Sequence, residues 1–405
     1  MSGGGSRFRI VLEKLSEVPW ARLGHAYGSA ADVPDQIRAL RSPDMAVRDA
    51  ARRSLNHNIV HSGTRYEASA FAVPFLLELL ADPATPERAD LLALLTSLAI
   101  GEDESWLPGP FPVASYREQA AGGEPILRAA PLPSYEDDSV FRYVEALDDR
   151  GRESMFAFIE LSAYDAVRAG VPLFRDLLSA ADPGLRVAAA YALAWFPEEA
   201  AVVERALTAS AADPDPAVAA TALVALFLSG GPGAIFREAL GDGRALVRWA
   251  AAVTVAGLDG PATGQAAVDE LLGWAGRGRA RFPAVPFLGG DLSGLAGLAL
   301  RRLGDTHAGA AFETLLVRIP AVSGPEALPV VGEALRRAFP AGPVGSAVRF
   351  ADLDQLQQKL LLKLADSPTT WQWGESGIFA NFTLMVNAYG LPHSVEDMRS
   401  FVSHS

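Results

Sequence analysis

The chain has 405 residues, of which half are apolar and a fifth are charged, and its formal net charge is −13. This composition excludes a disordered chain, and the acidic balance opposes non-specific binding to nucleic acid or to an anionic membrane. Cysteine is absent, which excludes disulfides, Cys-ligated metals and a cysteine nucleophile, and no apolar run reaches the ~20 residues that span a bilayer.

The first hundred residues (1–100) are predicted to contain a leader and two helix pairs. The N-terminus lacks the charged and apolar regions of a signal peptide, so we expect a cytoplasmic protein. Residues 7–32 form the predicted leader, with Trp20 as an anchor. Residues 33–62 and 66–100 follow as two predicted pairs of antiparallel helices.

One 23-residue pattern occurs twice with the same internal spacing, at residues 33–55 and 171–193. Each copy opens with Val-Pro, continues fourteen positions later with Val-Arg or Leu-Arg, and closes with Leu. Proline presets φ at the start of the first helix, and an Asp/Pro turn separates it from the second. The pattern predicts repeated helix pairs in which Arg48, Arg186 and Arg248 bind the turn acids as a ladder between repeats.

The second helix of four repeats shows one order of side-chain sizes. Positions i, i+3, i+4, i+7 and i+8 read large, small, small, small, large from Val47, Leu185, Val218 and Val247. Small central residues let helices approach closely, and large ends fill the space between layers. We therefore predict that these four faces are buried.

Residues 101–134 interrupt the helical pattern. Their tryptophan, prolines and double glycine favour an irregular insertion loop on one face of the molecule. Helix pairs resume over residues 135–340, the predicted central repeat array, in which residues 276–290 form a second loop. Residues 341–405 are predicted to form a helical C-terminal cap.

The combined pattern of Val-Pro, leucines, an Asp/Pro turn, Val/Leu-Arg, Ala-Ala and a final Leu resembles the HEAT repeat family. It is most similar to the short bacterial HEAT-like repeats of the phycobilisome-lyase type. Residues 33–55 and 171–193 match best, residues 197–258 match moderately, and residues 66–100 and 306–340 match weakly. The resemblance implies an all-α fold, a right-handed α-solenoid of stacked antiparallel helix pairs, and says little about function.

A polar cluster follows the apolar face of the first repeat and includes Asn56, His57, His61 and Tyr66. His57 and His61 lie four residues apart, as two metal ligands on one helix face would. No His-Glu pair occurs, so the resemblance does not extend to deoxyhypusine hydroxylase, a di-iron enzyme of HEAT-like repeats. We interpret the cluster as a partner-binding surface and expect no metal or other cofactor.

Three further places where the repeat pattern lapses carry aromatic or basic residues. The insertion and the C-terminal tryptophans favour contact with a partner or packing within the chain, and the basic loop suits phosphate or an acidic partner. The candidate partner-binding residues at these places are Trp106 and Phe111, then Arg277, Arg279 and Arg281, then Trp371 and Trp373.

The sequence favours recognition over catalysis. The favoured function is a non-catalytic scaffold or adaptor that binds a protein partner along a concave face or through the 101–134 insertion. One alternative is a HEAT-like DNA glycosylase, which the resemblance implies would hold DNA in a basic groove. The residues that invite this comparison are Trp249, Trp274, Arg244 and Arg248. The other alternative is a lyase or chaperone for a modified or chromophore-bearing protein, with an aromatic pocket in the insertion.

Overall fold

The computed structural model of the chain is all-α. It describes residues 12–101, 104, 106–133, 138–278, 281–345, 347–374 and 377–403. Within these residues, 21 α-helices are accompanied by short 3₁₀ turns and two small antiparallel β-hairpins. The hairpins pair β1 (Gly24–His25) with β2 (Gly28–Ser29) and β3 (Gln372–Trp373) with β4 (Gly377–Ile378). None of the described helices is both long enough and apolar enough to cross a membrane.

The chain divides into two compact units. The N-terminal unit comprises residues 1–106, 110–210 and 228–230, and the C-terminal unit comprises residues 107–109, 211–227 and 231–405. This division differs from the four segments that the sequence predicts, because the insertion belongs almost wholly to the N-terminal unit and the cap to the C-terminal unit.

The N-terminal unit is organised around one long helix. Its described helices are α1 (Val33–Ala39), α2 (Met45–Ile59), α3 (Glu67–Ala81), α4 (Arg88–Ile100), α5 (Val113–Gln119), α6 (Gly123–Ala129), α7 (Ser139–Ala146), α8 (Asp149–Arg168), α9 (Val171–Leu177), α10 (Pro183–Leu193) and α11 (Ala200–Ser210). Sequential pairs pack together: α1 with α2, α3 with α4, and α9 with α10. The 20-residue α8 packs against α3, α4, α5 and α6.

The C-terminal unit has a core that its last helices complete. Its described helices are α12 (Pro216–Leu228), α13 (Gly233–Ala239), α14 (Ala245–Asp259), α15 (Gln265–Ala275), α16 (Leu292–Ala299), α17 (Ala308–Arg318), α18 (Ala327–Ala338), α19 (Gln355–Ala365), α20 (Ala380–Asn387) and α21 (Val395–Ser403). Helix α18 packs against α16, α17, α19 and α20. Side chains from the predicted cap, including Trp371, Phe382 and Met398, lie in the same buried cluster as residues of α17 and α18.

The predicted helix faces are buried in three of the four repeats. The faces that begin at Leu185, Val218 and Val247 lie in the core, apart from a half-buried Ala188. The first face differs, because Val47 is 42% exposed. The size pattern therefore predicts burial correctly for these three faces. In the first repeat, only part of the face is buried.

The repeated arginines make one hydrogen-bond pattern in three turns. Nη1 of Arg48, Arg186 and Arg248 donates to the carbonyl oxygens six and five residues earlier, at 2.9–3.2 Å. These carbonyls end the preceding helix and its turn, where no intrahelical donor remains. The carboxylates of Asp44 and Asp182 instead accept the N–H two residues later and start the second helix. The arginines thus bind turn carbonyls, which the sequence does not predict as their acceptors.

Two of these arginines, Arg48 and Arg248, have ion pairs with residues outside their own turn. Arg48 forms an ion pair with Glu87, and Arg248 forms one with Glu270. Each glutamate lies in or beyond the following turn, so these two ion pairs link one helix pair to the next.

The insertion contains two helices where the sequence predicts an irregular loop. Pro112 stands just before α5, a position where proline needs no N–H donor. Gly122 turns the chain in a left-handed conformation with φ +86°, and α6 begins at Gly123. A Cβ atom on Gly123 would overlap the carbonyl oxygen of Ser154 on α8. Pro112 is therefore compatible with the start of α5, and Gly123 lets α6 lie close to α8.

Candidate functional site

The structure brings several predicted binding residues together in two clefts, one within each unit. The C-terminal cleft has a volume of about 410 Å³ and is lined by Arg281, Ser323, Pro325, Glu326 and Trp373. The N-terminal cleft has a volume of about 350 Å³, and its walls include Arg53, Asn56, His57, Asp90, Leu94 and Ser97. Both volumes are near the lower end of those found for small-molecule and peptide-side-chain sites.

Trp373 forms the exposed wall of the C-terminal cleft. Its side chain is 64% exposed, although it lies in β3 and stands edge-on to Phe379 at 5.4 Å between ring centroids. Gly324 has φ +58°, and a Cβ atom there would lie 3.0 Å from the indole. The absence of a side chain at Gly324 therefore lets the exposed ring pack closely against the backbone.

An ion pair forms the polar side of the C-terminal cleft. Nε of Arg281 donates to Oε1 of Glu326, whose residue is only 7% exposed. Glu326 also acts electrostatically on Asp291, which pairs with the buried Arg318. Burial raises the pKa of Asp291 in spite of the Arg318 guanidinium. Two acidic groups thus lie between two arginines, and these charged groups extend from the cleft into the interior of the unit.

The N-terminal cleft is a groove between one face of α2 and one face of α4. Arg53, Asn56 and His57 follow the i, i+3, i+4 spacing of a helix face, and Asp90 and Leu94 occupy the facing helix. Nδ1 of His57 donates to the carbonyl oxygen of Arg53 at 2.7 Å, because a carbonyl can only accept. His57 thus lines the cleft with its Nδ1 atom bound to the backbone of its own helix.

His61 and Tyr66 lie beside this cleft without lining it. The Tyr27 hydroxyl is 3.2 Å from Nδ1 of His61, and the rings of His57 and His61 are 6.4 Å apart between centroids. Burial raises the pKa of Tyr66. Across the described residues, no group of three or more His, Asp or Glu side chains is arranged to hold a metal ion.

A hydrogen-bond network near this cluster is absent from the sequence interpretation. The backbone N–H of Tyr27 donates to Nδ1 of His25, so Nε2 carries the proton and donates to Asp32 at 3.1 Å. Asp32 also accepts from Gln36 and Asn58. The network links the β1–β2 hairpin to α1 and α2. The sequence gives little indication of this network, because its hydrogen-bond partners lie up to 26 residues apart.

The predicted insertion residues Trp106 and Phe111 pack against each other, and Phe111 also packs against α8. Phe111 is 4% exposed and stacks on Tyr164 of α8 at 5.0 Å and on Tyr116 at 5.2 Å, while Trp106 stands edge-on to it at 4.8 Å. The lyase hypothesis expects an open aromatic pocket here. The rings instead contact one another.

The residues behind the glycosylase hypothesis are engaged within the C-terminal unit. Trp249 is fully buried and its Nε1 donates to the Leu292 carbonyl oxygen, and Trp274 is buried and donates to Glu270. Arg244 forms an ion pair with Asp242, which lowers the pKa of that carboxyl to about 2. Arg248 binds turn carbonyls as described above. These side chains therefore serve the packing of the repeats.

The remaining predicted residues are divided between core and surface. The guanidinium of Arg277 lies 3.8 Å from the centre of the Trp274 ring, a cation–π contact. Trp371 is buried and donates to the Leu364 carbonyl oxygen at 3.0 Å, so it completes the core next to the exposed Trp373. Arg279 lies outside the described residues.

Comparison with models of known protein families and with curated proteins finds no match to this chain.

Proposed function

We propose that the chain is a non-catalytic interaction protein of the cytoplasm, whose C-terminal cleft binds an extended segment of a protein partner. We also propose that its helix pairs stack as HEAT-like repeats in a right-handed α-solenoid. The observation that carries the binding proposal is Trp373, a large aromatic ring that is exposed and that also contacts Phe379.

An exposed tryptophan suits recognition because a partner that covers its ring removes a large apolar surface from water. Tryptophan and arginine are the residue types most often responsible for binding energy at protein interfaces. Trp373 provides a ring face for an apolar side chain of the partner, and Gly324 holds the ring from behind. The cleft therefore supports one anchor residue inserted beside the indole.

The ion pair beside the ring provides directional contacts. Arg281 is 53% exposed while Glu326 holds its Nε, so the other guanidinium donors can reach a partner's carbonyl or carboxylate. Glu326 is buried and already paired. We infer that the partner contributes a backbone carbonyl or a carboxylate close to its apolar anchor.

Replacement of Trp373 tests this proposal. Tagged full-length protein and its Trp373→Ala variant are used to capture partners from the source cells, and captured proteins are identified by mass spectrometry. Leu384→Ala is the matched control, because Leu384 is an equally exposed apolar residue of the same unit outside the cleft. We expect at least one protein to be captured by the parent and the control and lost from the Trp373→Ala variant.

Two outcomes would contradict this proposal. Identical capture by all three proteins would place partner binding elsewhere on the molecule. Salt-sensitive binding of duplex DNA, unaffected by Trp373→Ala, would favour the nucleic-acid alternative.

A further inference from the structure

We propose that three arginines around Glu333 in the C-terminal unit form a docking surface for an acidic segment of a protein partner. Arg336 and Arg337 lie in the last turn of α18, and Arg301 lies in the 3₁₀ turn that follows α16. All three form ion pairs with Glu333, whose side chain is fully buried. This arginine cluster is separate from the residues that line the C-terminal cleft, and it does not depend on the function proposed for that cleft.

The arginine cluster carries more positive charge than Glu333 neutralises. Three guanidiniums against one carboxylate leave an excess of two positive charges. Arg302 and Asp305, which are the nearest charged residues along the chain, are both exposed and carry opposite charges, so they leave this excess unchanged. Burial lowers the pKa of Arg337, and the charges of the other two arginines lower it further against the opposing effect of Glu333. The guanidiniums therefore repel one another, and an anion bound beside them would relieve this repulsion.

Glu333 holds the two exposed arginines side by side. Nε of Arg301 and Nε of Arg336 donate to the same carboxylate oxygen, Oε2, at 3.0 and 2.9 Å. Nη2 of Arg336 donates to the other oxygen at 2.6 Å. Within the described part of the chain, the Nη atoms of Arg301 and Nη1 of Arg336 have no acceptor, and the two side chains are 41% and 45% exposed. Two neighbouring guanidiniums thus keep donors for a partner at the surface.

Internal packing accounts for only one of the three arginines. Arg337 is 11% exposed, its Nη2 donates to the Leu300 carbonyl oxygen at 2.8 Å, and its Nε lies 2.9 Å from Oε1 of Glu333. It therefore joins α18 to the turn after α16 and supplies the opposite charge that a buried carboxylate requires. The two exposed arginines exceed that requirement. Tyr389 lies close enough to act electrostatically on Arg336, and its hydroxyl, which has no hydrogen-bond partner among the described residues, is a further donor.

The exposure and the charge of the arginine cluster favour carboxylates of a protein segment. The free end of a guanidinium matches a carboxylate with paired donors, and two carboxylates would neutralise the excess charge. A long polyanion such as nucleic acid would also meet the rest of a chain whose net charge is −13, whereas a short acidic segment covers only the cluster. We therefore assign the surface to a segment with at least two aspartates or glutamates.

Fluorescence anisotropy of labelled probes with the full-length protein tests the surface. The probes are a short oligoglutamate peptide, the same peptide with glutamine in place of each glutamate, and a single-stranded oligonucleotide of equal charge. We expect saturable binding of the glutamate peptide that weakens as salt is added, and no binding of the glutamine peptide. Tighter binding of the oligonucleotide than of the glutamate peptide would assign the surface to nucleic acid and overturn the proposal.

Single substitutions separate this surface from general charge attraction. Arg301→Gln and Arg336→Gln each remove one exposed guanidinium and leave Glu333 with two arginine partners, and thermal unfolding checks that each variant keeps its fold. Each should weaken binding of the glutamate peptide about fivefold, the upper range for one exposed ion pair. Arg349→Gln is the matched control, because Arg349 is exposed in the same unit and already paired with Asp352. It should bind within about twofold of the parent. Binding that does not saturate, or an equal loss in the control, would overturn the proposal.

Discussion

At the scale of single residues, the buried pair of Arg318 and Asp291 has the clearest energetic consequence. The two residues are 1% and 3% exposed, and Asp291 also caps α16 by accepting the Gly294 N–H. Removal of one charge from a buried pair leaves the other uncompensated, which costs more than the pair itself contributes. Nothing in the local sequence indicates this pair, because its members lie 27 residues apart.

We predict that Arg318→Met lowers the free energy of unfolding by about 3–5 kcal/mol at pH 7. The loss should be smaller at pH 4. Burial already raises the pKa of Asp291, and removal of Arg318 raises it further. A carboxyl whose folded-state pKa is raised contributes stability below its unfolded pKa and loses it as pH rises through the folded value. Urea denaturation of the parent and the variant at both pH values measures this difference.

A double variant provides the control for this pH dependence. Asp291→Asn in the Arg318→Met background removes the remaining charge and keeps an oxygen that can cap α16. We expect the double variant to recover part of the lost stability at pH 7 and to show no such pH dependence. A single variant that is equally destabilised at both pH values would contradict the assignment to Asp291.

At the scale of secondary-structure elements, the repeated arginine is a helix-end cap. The spacing of Arg48, Arg186 and Arg248 is visible in the sequence, and so is their place at the start of each second helix. Their acceptors could not be predicted with the same certainty, because backbone carbonyls are present in every turn and leave no trace in the sequence. Composition alone made the turn acids the expected partners.

The element-scale prediction concerns Arg248. Arg248→Ala removes two hydrogen bonds to turn carbonyls and the ion pair with Glu270. We expect a loss of about 1–2 kcal/mol in the free energy of unfolding, since the carbonyls regain only water. Arg302→Ala is the comparison, because Arg302 is exposed and should change stability by less than about 0.5 kcal/mol. Equal effects of the two substitutions in chemical denaturation would argue against the capping role.

The insertion shows why element prediction failed locally. Proline and glycine in residues 101–134 were interpreted as helix breakers, whereas Pro112 precedes α5 and Gly122 separates α5 from α6. Both residues are therefore at helix boundaries, where they are favoured. Phe111 of the insertion packs on Tyr164 of α8. Large apolar side chains suit both a partner surface and a core, so the sequence could not separate these two roles.

At the scale of the whole molecule, the division into two units predicts local responses to local damage. Arg318→Met should increase amide hydrogen exchange in α16, α17 and α18, which pack together in the C-terminal unit. Exchange in α8 of the N-terminal unit should stay near the parent value, because α8 packs against α3, α4, α5 and α6 of its own unit. Hydrogen-exchange mass spectrometry makes this comparison, and a uniform increase across both units would contradict it.

Some of the candidate binding residues line clefts, whereas others lie in the core. The sequence places binding residues where the repeat pattern lapses, and Asn56, His57, Arg281 and Trp373 all line clefts. It could not separate Trp373, which is exposed, from Trp371, which is buried two residues away. That difference depends on the β3–β4 hairpin and on Gly324, which only the folded chain brings next to the ring.

The affinity of a captured partner for the parent protein and for Trp373→Ala is the most direct test of the central claim that the C-terminal cleft binds another protein. Isothermal titration calorimetry should show a loss of about 2 kcal/mol, roughly thirtyfold, for Trp373→Ala. Leu384→Ala should bind within about twofold of the parent, since Leu384 lies outside the cleft. Equal affinity of the parent and Trp373→Ala would contradict the claim.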